Sequence, residues 1–335
     1  MKFRIWTILW VFALFASALA TFGIGGILPS LMVIAIWMRV ALRRSTILVG
    51  MMLGVLVFVV LLLVLLPSVS TPRAVVRRAT CANNMKQLAL ALLNYHSSFG
   101  KFPAARQSLP KSEYYHSWRM WIYPFVESSN FYDSYRKYEA WDSVFNRRLV
   151  NQSGVSEFSY QCPAHMTAGQ PHAHYLAVAG NRTMWPPDQG RTISEISDGS
   201  ANTIMLIEAS HKSVEWAKPA DLDFDEAVEL LSSNPGDNFG HRISYGFFYK
   251  PKRGINVAFV DGSVQFIELP ISRATAVALL TMDGGEEVDR LDFRSLGQPE
   301  IDYARIYSLS VFVLLTLLPA VNLRKKKQNE QSEAA

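Results

Sequence analysis

Three long segments without a charged residue constrain this chain more than any other feature. They are Ile5–Met38, Thr46–Leu66 and Ile306–Leu323. A helix needs about 20 apolar residues to cross the hydrocarbon core of a bilayer, so the second segment has the length of one span and the third is slightly short. The first has 34 residues. As one helix it would measure about 51 Å, which is too long for a single crossing.

The first segment carries helix-breaking residues in its middle. They are Gly23, Gly25, Gly26 and Pro29. Glycine and proline interrupt helical patterns, so we predict a membrane hairpin of two short spans over residues 5–22 and 27–41.

A cleaved signal peptide is the alternative interpretation of the N-terminus. Lys2 and Arg4 precede the apolar run, and Ala18-Leu19-Ala20 resembles a small-residue cleavage site. The apolar residues that resume after Gly26 favour the retained hairpin.

The basic residues are concentrated around the apolar segments. Residues 68–304 contain 23 Lys and Arg against 26 Asp and Glu, a net charge of −3, although the whole chain carries +5. This distribution gives no basic surface for nucleic acid, and we expect no nucleic-acid partner. Positive groups flank spans on the cytoplasmic side. Here they occur before the first span, at residues 39–44 and at residues 324–327.

Four spans in the cytoplasmic (inner) membrane satisfy these basic groups together, with the lipid bilayer as partner. The predicted boundaries are a membrane hairpin at 1–42, a third span at 43–67, an extracytoplasmic domain at 68–304, and a last span with a basic cytoplasmic tail at 305–335. Arg73, Arg77 and Arg78 oppose this orientation because they directly follow the third span. The two spans that bracket the domain nevertheless place it outside the cytoplasm.

An α+β domain is predicted from the periodicity of residues 68–304. Pro67 and Pro72 predict a break after the third span. From Arg73 onward, apolar residues recur at steps of three and four and predict a helix that ends near Gly100. This stripe is formed by Cys81, Met85, Leu88, Leu92 and Tyr95.

Strand patterns dominate after Phe158. Short alternating segments predict strands, and Asp261-Gly262 between two of them predicts a hairpin turn. Residues 220–233 predict a short acidic helix. Residues 111–150 are rich in aromatic side chains. We interpret these as core packing. The alternative is that residues 114–141, including Trp118 and Trp121, or a loop such as 233–253 recognise a glycan or peptide.

The stretch from Cys81 to Gln87, Cys-Ala-Asn-Asn-Met-Lys-Gln, follows an apolar span directly. With this motif and several later blocks, the chain resembles a large bacterial family of unknown function, typical of planctomycetes, whose members look like type II secretion pseudopilins. The resemblance implies a pilin-like domain, in which a long N-terminal helix packs on an antiparallel β-sheet. The motif residues that carry it are Asn83, Asn84, Lys86, Gln87, Asp198, Gly199, Asn202, Glu208, Asp261 and Gly262.

The chain departs from this family at the prepilin processing site. Arg43 and Arg44 fit the basic pair, but Ser45 stands at the cleavage glycine and Gly50 at the glutamate. We therefore expect a pilin-type anchor that is neither cut nor polymerised. The extra spans on both sides favour the same interpretation.

The family's other hallmark is a histidine followed after nine residues by Asp-Gly. Asp261-Gly262 is present, but Pro251 stands where the histidine belongs, and His241 lies ten residues too early. Any role of that histidine is therefore in doubt for this chain.

Cys81 and Cys162 are the only cysteines. Two cysteines in one extracytoplasmic domain favour a disulfide, which would fix the long helix to the sheet, and two buried thiols are the alternative.

Two further groups have ligand-like spacing. Cys162, His165, His172 and His174 form the metal-like cluster, but the second Cys-x-x-Cys pair of a strong zinc motif is missing, so ordinary loop histidines are favoured. Asp221, Asp223, Asp225 and Glu226 resemble half of a calcium loop, for which a solvated helix start is favoured. We expect no cofactor.

The sequence thus predicts a non-enzymatic, membrane-anchored, pseudopilin-like envelope protein with a structural or interaction role, with other envelope or secretion proteins as candidate partners. An extracytoplasmic glycan- or peptide-binding module is the alternative. An enzyme would require the His/Cys cluster to hold a metal.

Overall fold

The computed structural model describes residues 5–41, 46–126, 130–152, 161–163, 172–212, 214–234, 239–286 and 299–332. It mixes helices with mainly antiparallel sheets, which confirms the predicted α+β class. The helices are α1 Ile5–Phe22, α2 Ile27–Ala41, α3 Thr46–Phe99, α4 Trp118–Val126, α5 Asn130–Ser134, α6 Val144–Gln152, α7 Phe224–Ser232, α8 Arg273–Leu280 and α9 Tyr303–Ser332. Single 3₁₀ turns occupy Gly23–Gly26 and Ile193–Glu195.

The strands are short except in one central hairpin. They are β1 Arg106–Gln107, β2 His116–Ser117, β3 His172–Ala173, β4 Tyr175–Leu176, β5 Val178–Ala179, β6 Ile204–Glu208, β7 Val214–Glu215, β8 Leu222–Asp223, β9 His241–Ile243, β10 Lys252–Phe259 and β11 Val264–Leu269.

The chain divides into two compact units. The helical unit comprises Met1–Thr71, Ser244–Pro251 and Pro299–Ala335. The sheet unit comprises Pro72–Ile243 and Lys252–Gln298. The eight residues 244–251 leave the sheet between β9 and β10 and fold with the helical unit, which the sequence did not predict.

Helices α1 and α2 are separated by the 3₁₀ turn at the glycines and contact each other. Gly23 has a φ of 61°, a left-handed conformation that glycine adopts without strain. A Cβ on Gly26 would overlap the Ala18 carbonyl oxygen, so the end of the 3₁₀ turn lies directly against α1. The core of this unit draws on α1, α2, α3 and α9. Its buried members are Leu14, Ala18, Val33, Ile36, Leu56 and Phe312.

Two tryptophans hydrogen-bond the backbone of α9. The Trp10 indole donates to the Leu315 carbonyl at 2.9 Å, and the Trp37 indole donates to the Thr316 carbonyl at 2.9 Å. Pro319 lies inside α9 and lacks the N–H that would otherwise bond the carbonyl four residues earlier. The Leu315 carbonyl therefore receives from Trp10 the hydrogen bond that its own helix cannot supply.

Among the described residues, one helical stretch, Trp6–Val40, is long and apolar enough for a membrane span or a signal sequence. Shorter apolar helices occupy Met52–Leu61 and Tyr303–Pro319.

The predicted break at Pro67 and Pro72 is wrong, because α3 runs from Thr46 to Phe99 as one helix. Each proline removes only one backbone donor. A break would release several backbone N–H and C=O groups, which the continuous helix keeps hydrogen-bonded.

The sheet unit is built around β10. Strand β11 pairs with one edge of β10, while β6 and β9 share the other edge, and β4 pairs with the outer edge of β6. All of these pairings are antiparallel. Helix α3 packs on one face of this sheet, and α7 and α8 pack on the other.

Candidate functional site

A buried group of polar and sulfur side chains lies between α3 and the sheet. It consists of Cys81, Cys162, Glu208 and His241, whose ligating atoms all lie within 4.8 Å of one another. All four residues are fully or almost fully buried. We call this set the buried cluster.

The junction of two strands along β10 positions Glu208 and His241. His241 of β9 is paired with Gly254. Glu208 is the last residue of β6 and follows Ile207, which is paired with Val257. Asn256 therefore lies opposite Glu208, and the two strand ends meet at this point of the β10 edge.

The two cysteines are joined in a disulfide, with their Cα atoms 5.2 Å apart, a normal separation for such a bond. Cys81 lies in α3, and Cys162 lies on the segment before β3. The bond closes a loop with a sequence separation of 81 residues. In the chain-entropy model such a loop stabilises the native state by about 4 kcal/mol.

The Glu208 carboxylate is fully buried and hydrogen-bonded on both oxygens. Its Oε1 lies 2.9 Å from His241 Nε2. Its Oε2 accepts from the Asn256 backbone N–H at 3.1 Å and from Asn256 Nδ2 at 2.8 Å. These bonds offset the large cost of removing a carboxylate from water. They also fix the direction of Oε1 toward the histidine and the sulfurs.

His241 connects the carboxylate to the disulfide, because its Nε2 lies 3.7 Å from Cys162 Sγ. The backbone of Cys162 is held from the other side, since its N–H donates to His174 Nδ1 at 3.0 Å.

Polar groups continue beside the buried cluster. The Gln161 carbonyl accepts from the Tyr175 hydroxyl at 3.4 Å and from Asn84 Nδ2 at 3.5 Å. Burial raises the pKa of Tyr175 well above its ordinary value, and the charge of nearby Glu208 raises it further. The hydroxyl therefore stays protonated and acts as a donor.

The metal-like group considered in the sequence is not the group that the fold assembles among the described residues. Cys162 and His174 are neighbours, but His172 is half-buried on β3 and paired with Glu215. His165 lies outside the described residues.

Sequence reasoning missed His241 as a site residue because its spacing to Asp261 was ten residues too long. Residues 244–251 account for most of that difference, since they leave the sheet unit between β9 and β10. The position of His241 just before residues 244–251 was the signal that could have identified it.

Most family-motif residues hold turns together. Lys86 Nζ donates to the Gly262 carbonyl at 2.7 Å and so connects α3 to the β10–β11 hairpin. Gly262 has a φ of 80° at that turn, and Asp261 Oδ1 accepts from Ser263. Asn83 and Gln87 are exposed on α3.

A second turn, at the motif residue Asp198, is connected to the chain at Gly284 and Gly285. Asp198 accepts hydrogen bonds from the backbone N–H groups of Gly284 and Gly285, at 2.7 and 2.9 Å. Asn202 Nδ2 donates to the Asp198 carbonyl at 2.9 Å. Gly199 has a φ of 91°, which suits glycine at this position.

The four acidic residues considered for calcium do not converge on one point. Asp221 is buried against Arg119, with Nη2 to Oδ1 at 2.6 Å. Asp223 caps α7 by accepting from the Glu226 backbone N–H at 2.7 Å. Glu226 forms an ion pair with Lys212, and Asp225 is exposed. Asp221, Asp223 and Glu226 therefore each have a structural role.

The tryptophans considered for ligand recognition lie in the core. Trp118 is fully buried and packs on Trp185 with ring centroids 5.1 Å apart, and Trp121 is only 7% exposed. Neither ring is available at the surface, so core packing is the interpretation that fits them.

Residues 70–181 match the model of a family described as a protein of unknown function, DUF1559. The match covers one third of the 335 residues and begins just before the Cys81 motif. It is consistent with the resemblance to a family of unknown function. No curated protein and no solved structure matches the chain.

Proposed function

We propose that this chain is a multi-pass membrane protein that holds its sheet unit outside the cytoplasm, as a non-catalytic, pseudopilin-like component of the cell envelope. Its role would be structural, or interaction with other envelope or secretion proteins. The observation that carries the proposal is the outer surface of the helical unit.

Large apolar side chains cover the outside of this unit as well as its core. Examples with their exposed fractions are Trp6 78%, Phe12 73%, Phe58 65% and Leu314 67%. Helices that are apolar on every side are typical of a bilayer, and exposed apolar surface of this extent is rare on soluble monomers. The hydrogen bond from Trp10 to the Leu315 carbonyl also fits a site without water, where an unpaired carbonyl is costly.

A structural role is supported by the way polar groups are used in the sheet unit. In the part of the chain that the structure describes, Glu208, Asp221 and Asp198 are each engaged by partners within the fold. The disulfide adds about 4 kcal/mol to a domain that would face an oxidising compartment.

Protease protection of spheroplasts tests the topology. The full chain would carry one epitope tag before Met1 and a second after Ala335. External protease should digest the sheet unit while both tags survive, because both termini are cytoplasmic in the four-span arrangement. Digestion of the C-terminal tag in sealed spheroplasts, with a cytoplasmic marker intact, would contradict the proposal.

The envelope role has its own test. Deleting the gene should change the profile of secreted and surface proteins, and the full chain should restore it. An unchanged profile would leave the membrane topology standing but would contradict the envelope role.

A further inference from the structure

The buried cluster brings together the donor set of a metal site. Two sulfurs, one imidazole nitrogen and one carboxylate oxygen lie within 4.8 Å of one another. These are the donor types that bind zinc in proteins, in four-coordinate tetrahedral sites. The disulfide occupies both sulfurs in the oxidised chain.

We propose that the reduced chain binds one Zn²⁺ through Cys81, Cys162, His241 and Glu208. The two cysteines would then either form the disulfide or bind zinc together with the histidine and the glutamate. This inference goes beyond the envelope role and does not depend on it.

Apart from the sulfur pair, the distances fit such a site with little movement. Tetrahedral zinc has Zn–S bonds of about 2.3 Å and Zn–N and Zn–O bonds of about 2.0–2.2 Å, which sets S···N separations near 3.6 Å and S···S separations near 3.8 Å. Cys162 Sγ already lies 3.7 Å from His241 Nε2. Nε2 and Glu208 Oε1 lie 2.9 Å apart and need to separate by a few tenths of an ångström. The main change is the opening of the sulfur pair once its bond is broken.

The surroundings of the buried cluster also suit a metal. Asn256 binds Glu208 Oε2 with two donors, which leaves Oε1 as the oxygen aimed at the site. Outer partners of this kind orient metal ligands. The Cys162 backbone is also held, because its N–H donates to His174 Nδ1.

The chemistry balances with a named reductant. A phosphine takes the oxygen of water and becomes a phosphine oxide, while the disulfide gains two electrons and two protons to give two thiols. Zn²⁺ then displaces the thiol protons, and His241 binds through an Nε2 that carries no proton.

The test uses the full chain in detergent. The protein is reduced anaerobically with a phosphine until intact mass shows both thiols free, then exposed to Zn²⁺ and desalted. Metal analysis should give about one zinc per reduced chain, in line with a four-ligand site, and almost none for the oxidised chain. Co²⁺ in place of zinc should give the visible absorption of tetrahedral cobalt with thiolate charge transfer.

Matched variants separate this site from adventitious binding. His241→Gln and Glu208→Gln can first be verified as folded with the disulfide intact, and after reduction they should lose the retained zinc and the cobalt spectrum. His172→Ala removes a histidine outside the buried cluster and should keep both. The proposal is overturned if the reduced, folded chain holds no metal, if the oxidised chain holds as much, or if only His172→Ala loses it.

Discussion

His116 is a buried histidine whose two ring nitrogens both have partners. Nδ1 lies 3.0 Å from the Tyr135 hydroxyl, and Nε2 lies 3.0 Å from the Lys137 carbonyl. A neutral ring satisfies both, since Nε2–H donates to the carbonyl and Nδ1 accepts from the hydroxyl. Burial lowers the pKa of His116 below its ordinary value. The fold therefore selects the uncharged form.

A lowered histidine pKa makes stability depend on pH in a defined direction. Between the lowered pKa and about 6.5, the unfolded chain binds more protons at this residue than the native chain does. Stability should therefore be fully present above about pH 6.5. It should fall as the pH drops toward the folded pKa and level off below it. Thermal unfolding of the full chain in detergent at a series of pH values measures this slope.

His116→Asn isolates the contribution of this residue. The pKa of His211 is also lowered by burial, so the wild-type slope contains more than one histidine. The variant should be less stable at neutral pH but should lose less stability on acidification. An identical slope in both proteins would show that His116 does not titrate as expected.

Asp223 is expected to stabilise α7 as a helix cap and not through calcium. Asp223→Ala removes the acceptor for the Glu226 N–H and should cost about 1 kcal/mol of unfolding free energy. Asp225→Ala, two residues later and exposed, should cost much less. Neither stability nor the difference between the variants should change when calcium is added. A calcium-dependent rise in the wild-type melting temperature would contradict this.

The sequence supplied residue types more readily than residue partners. The Cys81–Cys162 pair follows from there being two cysteines in one domain. His241 and Glu208 join this pair in the buried cluster only because two strands meet along β10. The two residues are 33 positions apart in the chain, so no local sequence pattern indicates their contact. The same holds for Asp221, whose partner Arg119 is 102 positions away.

At the scale of elements, the hydrogen bond from Trp10 of α1 to the Leu315 carbonyl of α9 replaces the one that Pro319 removes. Trp10→Phe keeps an aromatic ring but deletes the donor to the Leu315 carbonyl, which should destabilise the helical unit by about 1–3 kcal/mol. Pro319→Ala restores the N–H within α9 and should recover much of this loss in the double variant. Melting of the single and double variants in detergent measures the coupling.

Trp37→Phe provides the comparison for this cycle. Its acceptor, the Thr316 carbonyl, is not the one left without a donor by Pro319. Pro319→Ala should rescue Trp37→Phe less than it rescues Trp10→Phe. Equal rescue of both variants would contradict the proposed pairing of proline and indole.

Element prediction succeeded where a local rule agreed with the surroundings. The glycines between α1 and α2 break the helix because a turn there also lets the two helices pack. The turn at Asp261-Gly262 needs a positive φ at its second residue, and glycine adopts this conformation without strain. Pro67 and Pro72 follow the same kind of rule, yet the helix continues through them. Each proline removes only one backbone donor, whereas a break would release several backbone groups.

At the scale of the whole molecule, residues 1–45 should stay joined to the rest of the chain. Helices α1 and α2 share their core with α3 and α9, so removing them would expose that core. Peptide mapping of protein extracted from native membranes should find sequence on both sides of Ser45 in one polypeptide. An N-terminus at Thr46 would show that processing occurs and would contradict this expectation. Residues 42–45 themselves lie outside the described residues.

The hydrogen bonds from Trp10 and Trp37 to α9 can form only late in translation. Their donors and acceptors are 305 and 279 residues apart in the chain. At roughly 5–20 residues per second, the ribosome needs about 15–60 s to make what lies between Trp10 and Leu315. Helices α1 and α2 are therefore made long before their partner helix exists. Until α9 is made, acceptors other than its carbonyls, such as water, must satisfy both indole N–H groups.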